Sequence, residues 1–262
     1  MIYVGLKGRM ANQMFLIAAA HALSLSNKTQ YVCSNSIQGI TPSPLETKKH
    51  RATIFKNIPF VKNIKPSSLH TDRSDFKFSP IRYLPEMCLS GYYQSEKYFS
   101  SHTKEIKSLF ETPDSIDNII KKKFSGLVAK NNTCSVHVRR GDYIKYNDYH
   151  NNLSKKYYNR CFEQVGLDSH FVFFSDDVAW CKQTFSDVDA TFVETGFDVL
   201  DFYLMSKMKN NIIANSSFSW WAAWLNENCD KRVIAPKNWF GPKNQNLSTI
   251  DLIPNSWEIV DA

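Results

Sequence analysis

An α/β fold, built as two halves that each carry a parallel sheet, is what this chain predicts. Three observations lead there. Short runs of β-branched and apolar residues alternate with stretches of helical length along the whole chain. Its 262 residues suffice for one large domain or two of about 130. Twice, a short strand runs through a loop of small residues into a helix, the kind of corner where an open α/β sheet holds its ligands.

Taken in order, Ile2-Tyr3-Val4 is the first strand. It runs into Gly5 and a short loop, Gly8-Arg9-Met10-Ala11-Asn12-Gln13, before a helix over Met14–Leu23 made of strong helix formers. The loop is neither a Walker loop nor the dinucleotide Gly-x-Gly-x-x-Gly. Tyr31-Val32-Cys33 is a second strand. From Ser34 to about Pro85 the pattern is irregular, with Thr41-Pro42-Ser43-Pro44 and Lys65-Pro66-Ser67-Ser68 as breakers. A strand from Cys88 leads into the aromatic-rich run Gly91–Phe99, whose rings suit either sugar stacking or a core. The segment 101–124 is helical, broken at Pro113-Asp114, and the first domain is expected to end near Ser125-Gly126.

The second half opens with Thr133–Val138, a buried strand. Leu153–Val165 is a helix and His170–Phe174 a buried strand. Ser175-Asp176-Asp177 starts the next helix as a cap, with a divalent-metal site as the less favoured use of the acidic pair. Thr191-Phe192-Val193 is a strand, Asp198–Met208 a helix and Asn211–Ala214 a strand. Asn215-Ser216-Ser217 then caps a helix whose Trp220, Trp221 and Trp224 belong in a core. The serine cap offers free N–H groups and hydroxyls, an anion cradle. Val233–Pro236 and Trp239-Phe240 are expected to close the sheet.

Between these elements stands His137-Val138-Arg139-Arg140-Gly141-Asp142-Tyr143, where a strand should end and ligands bind. A guanidinium there fits phosphate or carboxylate, two oxygens at once. Neighbouring side chains on a strand face opposite ways, so Arg139 and Arg140 serve one ligand only if the strand has broken. His137 and Arg139 share a face, and Gly141 supplies the turn. An ion pair with Asp142 is the competing use of either arginine and is more expected of Arg140. The Arg-Gly-Asp triplet reads as continuing a strand, not as an exposed adhesion turn.

Composition narrows the partners. Hydrophobic content of 43% and aromatic content of 14% allow a full core. No apolar run approaches the roughly 18 residues that cross a bilayer, and Met1–Gly5 lacks the features of a signal peptide. Cysteines 33, 88, 134, 161, 181 and 229 are scattered without metal-ligand spacing, as expected of reduced thiols in a cytosolic protein. Net charge of +7 favours anionic partners. The lysines are spread evenly, which argues against nucleic acid. Lys121-Lys122-Lys123 is a solvated helix face or, more sharply, a contact with an acidic membrane surface.

Nearly end to end, the chain resembles the bacterial α-1,2-fucosyltransferases. The carriers are Gly8-Arg9-Met10-Ala11-Asn12-Gln13-Met14-Phe15, Gly91–Phe99, His137–Tyr143, Phe174–Asp177 and Ile213–Trp221. The departure is Ala11, where the family usually has glycine. The resemblance implies an α/β, GT-B-like architecture of two Rossmann-like domains with the active site in the cleft between them. Residues 1–126 would form the acceptor-side domain and 127–262 the GDP-fucose-binding domain. It implies an inverting, metal-independent transfer of L-fucose from GDP-fucose to the 2-hydroxyl of a galactose in an O-antigen or capsule oligosaccharide. GDP-fucose is then a co-substrate, and no cofactor is expected. Arg139 would bind the diphosphate, His137 and Asp201 the guanosine, Ser216 and Ser217 the phosphates. Asn12 would sit at the fucose–phosphate link, and Gly8 and Arg9 would also bind GDP-fucose. For the base the candidates are Asp142, His137 if it is not committed to the nucleotide, or none, since a dissociative transition state needs little base assistance. Other linkages or donors, and a non-catalytic carbohydrate-binding protein, are the rival readings. The acceptor would be lipid-linked and the protein cytoplasmic, with peripheral contact to the cytoplasmic face of the inner membrane.

Overall fold

The computed structural model of the chain describes residues 1–34, 47–63, 65–72 and 76–262. The first part of the chain forms β1 (Ile2–Gly5), α1 (Met10–Ser26), β2 (Tyr31–Ser34), α2 (Thr47–Arg51), β3 (Ser68–Thr71), β4 (Met87–Ser90) and α3 (Thr103–Leu109). Its strands lie in the order β2-β1-β4-β3, and every pairing is parallel. Parallel neighbours need a crossover connection, and α1 supplies the first. That helix is buried nearly all round, through Met14, Phe15, Leu16, Ile17 and Ala18 among others, as a helix apolar on every face must be.

Two expectations change here. Helix α1 begins at Met10, four residues before the Met14 start, so Asn12 and Gln13 stand in its first turn and not in a loop. The stretch 34–85, read as irregular, holds α2 and β3. Lys65-Pro66-Ser67-Ser68 leads directly into β3, while Thr41-Pro42-Ser43-Pro44 lies outside the described residues.

The later part forms α4 (Asp114–Val128), β5 (Thr133–Val138), α5 (Gly141–Lys145), α6 (Lys155–Val165), β6 (His170–Ser175) and α7 (Val178–Thr184). It continues with β7 (Ala190–Val193), α8 (Asp198–Ser206), β8 (Asn210–Ile212), α9 (Ser217–Leu225), β9 (Val233–Pro236) and β10 (Glu258–Val260). The sheet runs β10-β9-β8-β5-β6-β7, again wholly parallel. Strand β5 lies inside it and is buried at all six positions, as a strand covered on both faces must be. Phe162, Phe171, Phe173 and Phe185 pack ring to ring in the core. Trp220, Trp221 and Trp224 are buried as expected. The sheet does not close on Trp239-Phe240. The Trp239 carbonyl accepts from Asn215 Nδ2 at 2.8 Å, Phe240 makes an antiparallel bridge with His150, and β10 takes the edge.

The chain divides into two compact units, Met1–Glu111 with Ser248–Pro254, and Thr112–Leu247 with Asn255–Ala262. The Gly126 boundary falls inside α4, which the second unit takes whole. Asp251 ties the returning segment to the first unit, accepting from the Phe78 backbone at 2.8 Å and pairing with Lys97. All six cysteines are free thiols, five of them buried. Among the described residues no helix is long and apolar enough to cross a membrane.

Candidate functional site

Strand β5 stops at Val138, so Arg139 and Arg140 follow in irregular backbone and Gly141 opens α5. The Arg-Gly-Asp triplet therefore does not continue the strand. Gly141 is not needed for a left-handed turn either. It is needed for close approach, since a Cβ there would lie 2.6 Å from Asp176 Oδ2. That carboxylate reaches Arg139, with Nη1 to Oδ2 at 2.9 Å, while Arg139 Nη2 donates to Asp142 Oδ1 at 2.5 Å. The pair with Asp142, more expected of Arg140, thus belongs to Arg139. Arg140 Nε donates to Asp177 Oδ2 at 3.2 Å, and its guanidinium lies 4.0 Å from the Trp180 ring centre.

The electrostatics differ from an open cationic pocket. Two arginines face three carboxylates, Asp142, Asp176 and Asp177. Arg139 remains 20% exposed, and a guanidinium carries five N–H donors, so the braces leave donors over for a ligand. Asp177 caps α7 as predicted, its Oδ1 accepting from Trp180 N at 3.1 Å. Asp176 does not cap. It accepts from the Arg140 backbone at 2.8 Å and braces Arg139. Among the described residues no group of acidic, histidine or cysteine side chains is arranged to hold a metal.

Strand β8 lies beside β5, so the chain leaving β8 emerges next to Arg139. There Ser216 caps α9, its Oγ accepting from Phe218 N at 3.4 Å. Tyr143 joins the two corners: its ring lies 5.5 Å from the Arg139 guanidinium and its hydroxyl donates to the Asn215 carbonyl at 3.0 Å. It also stacks on His150 at 4.1 Å. His137 is buried, with Nδ1 2.9 Å from Ser219 Oγ. Burial first, and the Arg139 charge second, hold its pKa down at about 3, so the imidazole is neutral near pH 7. Phe218 packs against both His137, at 5.6 Å, and Phe202, at 5.4 Å. Its contact with Phe202 brings α8 alongside, with Asp201 in the first turn of that helix. Burial pushes the Asp201 carboxyl up to about 6, against the 2.6 Å hydrogen bond from Thr195 Oγ1.

In the first unit, Gly8 adopts φ +75°, and a Cβ there would lie 2.6 Å from Asn12 Nδ2. Gln13 Nε2 donates to the Gly8 carbonyl at 2.8 Å, and Gln94 Nε2 donates to Asn12 Oδ1 at 2.8 Å. Arg9 is exposed just before α1. Ala11 is a buried residue of α1, so its Cβ requires no unusual backbone where the family usually has glycine. Thus Gly8, Arg9 and Asn12 gather at the carboxyl end of β1, and His137, Arg139, Asp142, Asp201, Ser216 and Ser217 near the carboxyl end of the second sheet. Sequence reasoning missed the bracing by Asp176, the bridge through Tyr143, Ser219 as the partner of His137, and Gln94. All four lie in blocks that carry the family resemblance, but only Asp176 also carried a local signal, as one of an acidic pair following a strand.

The whole of this arrangement lies within a match to the profile of Glycosyl transferase family 11, which covers residues 1–257. The chain belongs to glycosyl transferase family 11. Among its relatives is the O-antigen biosynthesis glycosyltransferase WbnK of Escherichia coli, 31% identical over 95% of this chain and 98% of that one. An α-1,2-colitosyltransferase of Escherichia coli is 37% identical over 64% of this chain and 60% of that protein. The galactoside 2-α-L-fucosyltransferase SEC1 of Bos taurus is 25% identical over 85% of this chain and 63% of its own length. In fold, the family 11 chain is similar to a NodZ α-1,6-fucosyltransferase co-crystallised with GDP, with a TM-score of 0.54 at 12% identity, covering 90% of this chain and 95% of that one. It is a glycosyltransferase.

Proposed function

We propose that this family 11 enzyme transfers L-fucose from GDP-fucose to the 2-hydroxyl of a galactose in an O-antigen or capsule oligosaccharide, with inversion and without a metal. The acceptor oxygen forms a bond to the fucose anomeric carbon. The bond from that carbon to the β-phosphate oxygen breaks, and GDP leaves with the electron pair. The hydroxyl proton passes to Asp142, the candidate base, and on to solvent. Arg139 and the capped N-terminus of α9, with Ser216 and Ser217, offset the charge that grows on the diphosphate. The neutral His137 and the Asp201 carboxylate hold the guanosine, the latter suited to the guanine N–H edge. Asn12, with Gly8 and Arg9 beside it, stands at the fucose–phosphate link. The acceptor is carried on a lipid, and the enzyme makes peripheral contact with an acidic membrane surface.

The observation that carries this reading is the adjacency of Arg139 and the serine cap at the ends of neighbouring strands β5 and β8, in a chain of this family. The matched colitosyltransferase favours one second reading, in which the donor sugar is colitose. Calorimetric titration with GDP tests the first step. The proposal expects heat from a single site, whereas a carbohydrate-binding protein without a nucleotide pocket gives a silent titration. Comparing hydrolysis of GDP-fucose with that of other nucleotide sugars then separates the donors.

A further inference from the structure

We infer that Gln94 is a positioning residue that fixes which way round the Asn12 amide is held. The inference rests on the reading of Asn12 as a ligand contact, and it concerns the first unit alone. Gln94 is buried, 8% exposed, and its Nε2 donates to Asn12 Oδ1 at 2.8 Å. A side-chain amide has two ends, one donating and one accepting, and either can point at a given partner. By donating, Gln94 claims the accepting end of Asn12. The Nδ2 end is thereby set on the Gly8 side, where only a glycine leaves room: a Cβ at Gly8 would lie 2.6 Å from Nδ2.

The backbone that delivers Gln94 takes positive φ at two points just before it, freely at a glycine and under strain at a tyrosine. Gly91 has φ +130°, and a Cβ there would lie 2.5 Å from the Cβ of Asp72. Tyr93 has φ +49°, a conformation that costs free energy for a bulky residue and persists only where its surroundings impose it. They do so here. The Tyr93 N–H donates to Asp72 Oδ2 at 3.0 Å, its hydroxyl donates to the His70 carbonyl at 2.9 Å, and the ring is fully buried. The turn after β4 is thus clamped from β3, and the residue it presents next is Gln94, beside the carboxyl end of β1. A buried amide aimed at a second amide gives that partner a direction.

The test exchanges donor for acceptor. Gln94→Glu places a carboxylate against Asn12 Oδ1, so the Asn12 amide turns over to donate to it. At low pH the introduced carboxyl carries a proton and donates as glutamine does, restoring the original direction. Steady-state fucosyl transfer by Q94E is expected to show kcat at least thirtyfold below wild type at pH 8. Activity relative to wild type should rise as pH falls through the range in which the introduced carboxylate takes up its proton, with KM for the acceptor little changed. Gln94→Met, of similar size and without a donor, is expected to lower kcat at least fivefold with no such pH dependence, and keeps the inference testable if Q94E does not fold. Asn12→Ala is measured alongside. If N12A is inactive while folded Q94E, or Q94M where Q94E does not fold, matches wild type across the pH range, Gln94 sets nothing and the inference is overturned. A loss in Q94E that is the same at every pH also overturns it, leaving a packing role. If N12A itself keeps wild-type turnover, the reading of Asn12 fails first and takes the inference with it.

Discussion

Arg139 is held by Asp142 and Asp176 before any ligand arrives, and this sets what its replacement should do. In the proposed role, Arg139→Ala removes one preorganised donor to the leaving diphosphate, a contribution of about 3 kcal/mol. Turnover should fall by two or more powers of ten with the fold intact; near-wild-type turnover contradicts the assignment. Asp142→Asn separates the two uses of that carboxylate. As the base it should lower kcat about a hundredfold, while GDP affinity holds or improves because one of three nearby carboxylate charges is gone. Turnover close to wild type would leave Asp142 as a brace only. Asp201 gives a pH signature. Its carboxyl is pushed up to about 6, and the proposed contact with guanine N–H donors favours the ionised form, so GDP binding is expected to release its proton. GDP affinity should drop about tenfold per pH unit below 6 and level off above it, read by calorimetry between pH 5 and 7.5. A flat profile excludes Asp201 from the guanine contact. At this scale Arg139 and Ser216 were legible because their chemistry is uncommon at strand ends and caps. Gln94 and Ser219 were not, because a hydrogen bond between residues 82 apart, as in both Gln94–Asn12 and His137–Ser219, leaves no periodicity to read.

Helix ends explain why the elements meet where they do. Parallel strands place the N-termini of the following helices at one edge of the sheet, so α8 and α9 both begin at the carboxyl edge of the second unit. The Ser216 cap serves this arrangement directly. Ser216→Ala should lower unfolding free energy by about 1 kcal/mol, measured by urea denaturation, and should weaken GDP binding as well. Loss of stability without loss of binding would separate the cap from the phosphate site. The strand–helix alternation was legible because both strand runs and capping residues are local signals. The early start of α1 was not, because Gly8 and Arg9 precede residues whose helical state is decided by burial of Met10 and Ala11. Strand β10 escaped because its sequence, Glu258-Ile259-Val260, is too short to stand out from the chain end.

Across the whole molecule, charge is less evenly spread than the total suggests. Residues 47–71 contain five lysines, one arginine and no acidic residue. Lys56 and Lys62 there are exposed and make no ion pair with a described residue, next to Val61 at 40% exposure. By contrast Lys121, in the run expected as a solvated helix face or a membrane contact, pairs with Asp117 on its own helix. Vesicles of phosphatidylglycerol should therefore hold wild type and a K122E/K123E variant alike, while K56E/K62E binds at least about tenfold more weakly. Equal loss in the two charge-matched variants would mean that only net charge matters. The two-unit division was legible from length and alternation, but its boundary was not: Ser248–Pro254 returns to the first unit through the contacts of Asp251, which no local pattern announces.

The catalytic expectations depend on what is transferred, and to where. Incubating the enzyme with GDP-fucose and a panel of galactosides, then determining the product by NMR, tests that directly. The account predicts a fucose in α linkage to O2 of the galactose, with GDP released in equal amount. A product linked elsewhere, or no transfer from GDP-fucose while a colitose donor is consumed, would contradict it.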